Sequence, residues 1–343
     1  MRLINTAVYS TKRFIVFCTA FLFIGILSCK KDKDVDELIE DDEVITLKIP
    51  GKFPYPEFPA DNQPTQKRID LGKRLFFDPI LSRDSTVSCG SCHLPNKFFA
   101  DNLKVSVGIN GRTGTRNAPS LINVAYQSSM FWDGGNPNLE QQVLAPIENH
   151  DEMDFDINKV VDRLTKKSDY VNQFQRAYKQ GPNVYTLTRA IACFERTLIG
   201  GTSRYDKFAV NHDSTLLTPS EKNGLILFFG EQGDCFHCHQ GFNFTDNSFR
   251  NNGLYLTYAD SGVARITGLS SDIGKFKIPS LRNVGATAPY MHDGSLQTLQ
   301  EVIDHYASGG KKHPNKSAIL KPLVLSPQEK TDLINFLKTL TDQ

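Results

Sequence analysis

The chain of 343 residues is long enough to bury a sizeable core, and its formal net charge of +1 leaves no cation surplus for nucleic acid. Hydrophobic residues make up 39%, the level of an ordinary globular protein, which excludes a disordered or fibrous chain. Beyond the first 29 residues, four cysteines fall in two Cys-x-x-Cys-His motifs and Cys193 stands alone, so no pair remains for a disulfide framework.

Residues 1–29 read as an export signal. Lys12 and Arg13 flank an apolar run through Phe14–Phe17 and Phe21–Leu27, too short for a comfortable membrane span. Leu27-Ser28-Cys29 resembles a lipobox, which implies cleavage before Cys29 and a lipid on its thiol; the bland alternative is an uncleaved anchor. Either way the bulk of the chain is expected on the periplasmic side or at the cell surface. Residues 30–58, first charged (Asp41, Asp42, Glu43) and then proline-rich (Pro50, Pro54, Pro56), bury too little apolar surface to order themselves and read as a tether.

A helical stretch over Asp70–Phe77 precedes Cys89-Gly90-Ser91-Cys92-His93, and a related one over Asn223–Gly230 precedes Cys235-Phe236-His237-Cys238-His239. This is the attachment sequence for c-type haem: two thiols add across the vinyl groups, and the next imidazole ligates the iron. A redox dithiol or half a zinc site would explain one copy, but not two complete copies in one exported chain. Periodic apolar residues over 156–210 predict helices bridging two domains, with Cys193 a buried structural thiol. Thr218-Pro219-Ser220-Glu221 and Ser326-Pro327-Gln328-Glu329 are helix starts, the second opening a terminal helix placed to pack back on the first domain.

A second duplication lies downstream of each motif. Pro119-Ser120-Leu121-Ile122-Asn123-Val124 recurs as Pro279-Ser280-Leu281-Arg282-Asn283-Val284, and Trp132-Asp133-Gly134 as His292-Asp293-Gly294, at a constant offset of 160 residues. In this register Tyr306 corresponds to Pro146. A phenolate binds ferric iron and proline offers no ligand, so the second haem could be closed by Tyr306 while the first stays open. His305 is the second choice for that axial place and Met291 the third. His150, His212, His237 and His313 read as surface or structural.

Residues 55–340 resemble the bacterial di-haem cytochrome c peroxidases, including the MauG-type branch. The resemblance is carried by the two haem motifs, Arg116–Leu121, Phe131-Trp132-Asp133-Gly134, Pro146-Ile147-Glu148-Asn149, Glu152-Met153 and Thr287–Gly294. It implies an all-α fold of two cytochrome c-like domains, 59–205 and 217–343, each with one covalent haem and little β structure. His93 and His239 match the proximal ligands. Glu152 and Gln142 match the distal peroxide-pocket residues, with Glu148 the second candidate for the acid. Trp132, the only tryptophan, matches the ring between the haems, against the plainer reading of simple core. Asn117, Thr287 and Pro289 match the ligands of one calcium ion. Tyr306 falls where the peroxidases carry an axial Met and the MauG-type branch an axial Tyr. One departure stands out: where better-known members place a displaceable distal His, this chain has Gly108-Ile109-Asn110-Gly111.

The resemblance implies hydrogen peroxide as substrate and a small cytochrome or cupredoxin as electron donor. Oxidation of a protein or organic substrate by a state shared across both haems is the MauG-like alternative, and a plain electron carrier a third. Glu152, Gln142 and the missing sixth ligand argue against the carrier, which would close both irons. Homodimers are common in that family, though no residue here speaks for one.

Overall fold

A computed structural model describes residues 43–51 and 53–343, so the export signal, the lipid expected on Cys29 and most of the tether lie outside the described residues. Twelve α-helices account for nearly all regular structure among them, in chain order α1 (Gln66–Phe77), α2 (Cys89–Cys92), α3 (Leu139–Gln142), α4 (Leu144–Glu148), α5 (Ile157–Thr165), α6 (Ser168–Tyr178), α7 (Val184–Glu195), α8 (Arg204–Asn211), α9 (Pro219–Phe229), α10 (Ala264–Thr267), α11 (Leu299–Ala307) and α12 (Pro327–Lys338). The one sheet is a two-residue antiparallel pair, β1 (Phe249–Arg250) with β2 (Phe276–Lys277). The fold is all-α, as expected.

Helices begin where local chemistry satisfies their first amide groups. Thr218 and Glu221 form a capping box at α9, and Ser326 and Glu329 another at α12, each with proline in the first turn. Thr65 caps α1 by accepting from the Arg68 N–H at 3.3 Å.

Two apolar clusters form the interior. The first gathers Leu71, Leu75 and Phe76 of α1 with Val160, Leu164, Phe174, Leu187 and Ile191 of α5–α7. The second gathers Leu227 and Phe228 of α9 with Ile303 of α11 and Leu333 and Phe336 of α12. Each buried side chain of this size contributes about 1.5–3 kcal/mol. Tyr205, at the expected end of the first domain, packs edge-on to Phe244 and Phe336 of the second cluster. The terminal helix pairs with α9 rather than returning to the first cluster, because its apolar stripe faces Phe228; its end reaches back by hydrogen bonds alone, Asp342 accepting from the Gly201 N–H at 2.8 Å and the Gln343 carbonyl from the Thr202 hydroxyl at 3.1 Å.

Both clusters are built on one close helix crossing. A Cβ on Gly72 would stand 1.8 Å from the Ala190 carbonyl oxygen where α1 meets α7, and one on Gly224 would stand 2.0 Å from the Asp332 oxygen where α9 meets α12. Backbone therefore touches backbone, and any side chain would force the helices apart.

The 160-residue repeat is also a repeat of conformation. Asn123 and Asn283 are both left-handed at φ 62°, as are Phe131 and Met291, and the turns close with bridges Met130–Asn136 and Tyr290–Leu296. Asn138 and Thr298 then cap equivalent helices. The copies diverge at Pro146: its missing N–H breaks the first into α3 and α4, whereas α11 runs unbroken through Tyr306.

Gly72→Ala and Gly224→Ala should each lower unfolding stability by about 1–3 kcal/mol. Denaturant unfolding of the haem-loaded protein checks this; loss below a few tenths would show that the crossings tolerate a methyl group.

Candidate haem sites and distal pocket

The two histidines of the motifs are held alike. His93 Nδ1 lies 2.9 Å from the Phe99 carbonyl oxygen and His239 Nδ1 3.0 Å from that of Phe244. A carbonyl only accepts, so Nδ1 carries the proton in both and Nε2 keeps its lone pair for a metal. Burial lowers the basicity of both rings, which also keeps them neutral.

The cysteines suit thioether formation better than dithiol chemistry. Burial pushes the Cys89 thiol far up, Cys92 to about 11 and Cys235 to about 12, the reverse of a reactive redox pair. Among the described residues no group of three or more His, Cys, Asp or Glu side chains is placed to hold a metal ion.

The charge of Glu152 reaches the first motif, acting on both Cys89 and Cys92. Burial raises its carboxyl above the usual range, and a 2.7 Å hydrogen bond from Asn149 Nδ2 to Oε1 opposes the rise. Asn149 is itself oriented, since its Oδ1 accepts from the Asp151 N–H at 3.0 Å. Gln142 ends α3 half-buried, one helix before. The loop at Gly108–Gly111 lies flush on this segment: the Ile109 N–H donates to the Glu152 carbonyl at 2.8 Å, and a Cβ on Gly108 would meet Asp151 O at 2.1 Å. Glu148, the second candidate, is exposed.

On the C-terminal side, His239 and Tyr306 line the same two cavities, of about 80 and 200 Å³, together with Arg250 and Asn252. Arg250 Nε is buried without a partner, a donor fit for a haem carboxylate. Burial raises the Tyr306 phenol, and the Asn252 amide opposes this, so the hydroxyl keeps its proton unless a cation stands opposite. His305 turns elsewhere, its Nε2 donating to the Asn252 carbonyl at 3.1 Å, and Met291 Sδ accepts from Asn252 Nδ2 at 3.3 Å.

The larger cavity also brings together Asn117, Trp132, Thr287 and Pro289. Two hydrogen bonds tie the halves here, the Asn117 N–H to His292 O at 2.8 Å and the Lys277 N–H to Trp132 O at 2.7 Å, and within the first half Trp132 Nε1 donates to Asn117 O at 2.9 Å. Asn117 Nδ2 donates to Leu103 O, which turns its Oδ1 toward the junction.

Sequence reasoning passed over two buried ionisable groups. Burial lowers Lys277 to about 8, and its ammonium donates to Gln127 and to Ser129 O. Burial raises Glu195, at the end of α7, to about 8; Oε2 has no partner, and its charge acts on Cys89. Lys277 sits between Phe276 and Ile278 and Glu195 between Phe194 and Arg196, with no local signal of burial.

The chain belongs to the di-haem cytochrome c peroxidase family, whose model matches residues 66–215. It is thus an oxidoreductase of the cytochrome c peroxidase type, and the family carries two haem c groups. Methylamine utilization protein MauG of Methylorubrum extorquens is 38% identical over 299 residues, covering 85% of this chain and 84% of that protein. Cytochrome c551 peroxidase of Nitrosomonas europaea is 30% identical over 314 residues, covering 87% and 90%. The solved structure of a MauG-like protein associated with microbial copper homeostasis matches with a TM-score of 0.83 at 36% identity, covering 87% and 96%.

Glu195 makes stability fall with pH. Its folded value lies above the unfolded one near 4.3, so its neutral form is fully compatible with folding below that pH and is lost as pH rises through about 8. Glu195→Gln should lose less stability than wild type between pH 5 and pH 9, by on the order of a few kcal/mol. Parallel pH–stability curves for the two haem-loaded proteins would contradict this.

Proposed function

We propose that this chain reduces hydrogen peroxide to water at the haem of His93, with electrons delivered through the haem of His239 from a small cytochrome or cupredoxin. The observation that carries the reading is Glu152: a half-buried carboxyl whose charge reaches Cys89 and Cys92, with Oε1 held by Asn149. Haem bound there supplies the metal on which peroxide docks and the electrons that split it.

The protein's own part is proton traffic and exclusion of water. Glu152 takes a proton from the inner peroxide oxygen and returns it to the outer one, and its raised affinity for protons suits that exchange near neutral pH. Asn149 fixes Oε1, leaving Oε2 to move the proton. Gln142 orients the oxidant from the end of α3. Trp132, tied to both halves by hydrogen bonds, relays electrons across the junction. Asn117 Oδ1 and the Thr287 and Pro289 carbonyls hold one calcium ion there, an oxygen set that suits a hard cation.

Tyr306 lines one cavity with His239 and would help hold the iron of the second haem, whereas Pro146 at the equivalent place offers no ligand to the first. This pair of features also favours the MauG-like reading, oxidation of a protein or organic substrate, as second choice. The domains divide at 59–205 and 217–343, and the chain works outside the cytoplasm, tethered through a lipid on Cys29; no described helix is long and apolar enough to cross a membrane.

Glu152→Gln should cut peroxide turnover by about 10²–10⁴-fold while haem content and absorption spectrum stay as in wild type. Turnover within threefold of wild type would remove Glu152 from the mechanism.

A further inference from the structure

A second, outer cavity opens beside the junction and takes no part in the chemistry above. It holds about 690 Å³ and is walled by Thr115, Tyr255, Thr257, Tyr258, His292 and Asp293. That is room for a small organic molecule. Apart from Lys104 at the exposed rim, the basic side chains around it are already matched. Arg116 donates to Asp133 and, with two nitrogens, to Asp260, and Arg265 donates to Asp133. No side chain here selects strongly for an ion, and the hydroxyls and ring faces that remain suit a neutral aromatic molecule that forms hydrogen bonds.

The inner wall is a continuous run of rings. Tyr255 and Tyr258 lie 5.6 Å apart, edge to face. Tyr258 is 6.5 Å from His292 and 6.3 Å from Phe276, and His292 stacks on Phe276 at 3.7 Å with 14° between planes. His292 and Trp132, matched in the repeat, both line the inner cavity with His239 and Tyr306, so His292 is a wall shared by the two cavities. Phe276 precedes Lys277, whose N–H holds the Trp132 carbonyl.

Tyr255 is also equipped for proton-coupled oxidation. Its hydroxyl donates to Asp293 Oδ2 at 2.5 Å, while Oδ1 accepts from the Ser295 N–H at 3.1 Å. Burial alone would raise Asp293, but the Tyr255 and Ser295 hydrogen bonds hold it below the usual carboxylate range, so it stands ionised as a proton acceptor. A tyrosine that loses an electron becomes a strong acid, and this carboxylate receives its proton and returns it on re-reduction.

We infer that the outer cavity is a second electron-entry site, where a small phenolic reductant is oxidised by one electron through Tyr255 and the Tyr258, His292 and Phe276 rings. The inference rests on the peroxidase reading, which supplies the oxidant. Each phenol loses one electron to the ring stack and its hydroxyl proton to solvent. Two phenols reduce one peroxide: 2 ArOH + H₂O₂ → 2 ArO• + 2 H₂O.

The test uses the haem-loaded protein with hydrogen peroxide and either 2,6-dimethoxyphenol or a reduced cytochrome c as donor. Wild type should oxidise both. Tyr255→Phe should lower kcat for the phenol at least tenfold, and Thr257→Trp, which fills the exposed rim and spares the rings, should raise KM for the phenol at least tenfold. Both should keep cytochrome-dependent turnover within twofold, which also shows that they fold. Phenol kinetics unchanged in both variants would overturn the site. Wild type that turns over peroxide with the cytochrome but not the phenol would overturn this inference alone; failure with both donors would overturn it together with the peroxidase reading.

Discussion

The fold depends on two hydrogen bonds, from His93 Nδ1 to Phe99 O and from His239 Nδ1 to Phe244 O. Each fixes the tautomer and plane of an imidazole and leaves its other nitrogen free for a metal, and each accepting carbonyl sits in the loop just after its motif. Around these fixed points the interior is two modest apolar clusters rather than one large core, each hung on a single close helix crossing. The space between is lined for a flat, partly charged guest, with Arg250 Nε left unpartnered beside it.

Duplication made the two sites alike, and a few substitutions made them unequal. The left-handed asparagines, the bridged turns and the helix caps all survive at the same offset. At one position the first copy has proline, which breaks its helix and offers no ligand, and the second has a tyrosine facing the His239 cavity. Glu152 then occupies ground held by backbone: Gly108 admits no side chain there, so the loop packs directly on the acid's own segment. Under the proposed function, the half with Glu152 would break the peroxide bond and the half with Tyr306 would supply electrons.

Much of the fold is legible in the sequence. Covalent haem attachment demands a fixed spacing of two thiols and an imidazole, so the motifs stand out in any context. Capping is equally local, and Thr218, Ser326 and their partner glutamates appear as read. The repeat told which residues occupy equivalent places, which is how Tyr306 was reached ahead of His305. What escaped depends on approach between distant segments. Glu195 looks like one more helix residue until α7 buries it near Cys89. Tyr205 reads as the end of the first half but packs in the second cluster. Tyr255 and Asp293 are 38 positions apart and meet only through the turn that carries His292.

The central claim is that the two haem sites are unequal in coordination. Electron paramagnetic resonance of the haem-loaded ferric protein, as isolated, tests it most directly. One high-spin signal from the site of His93 and one low-spin signal from the site of His239, with Tyr306 as the proposed ligand, are expected. Two low-spin signals would contradict it.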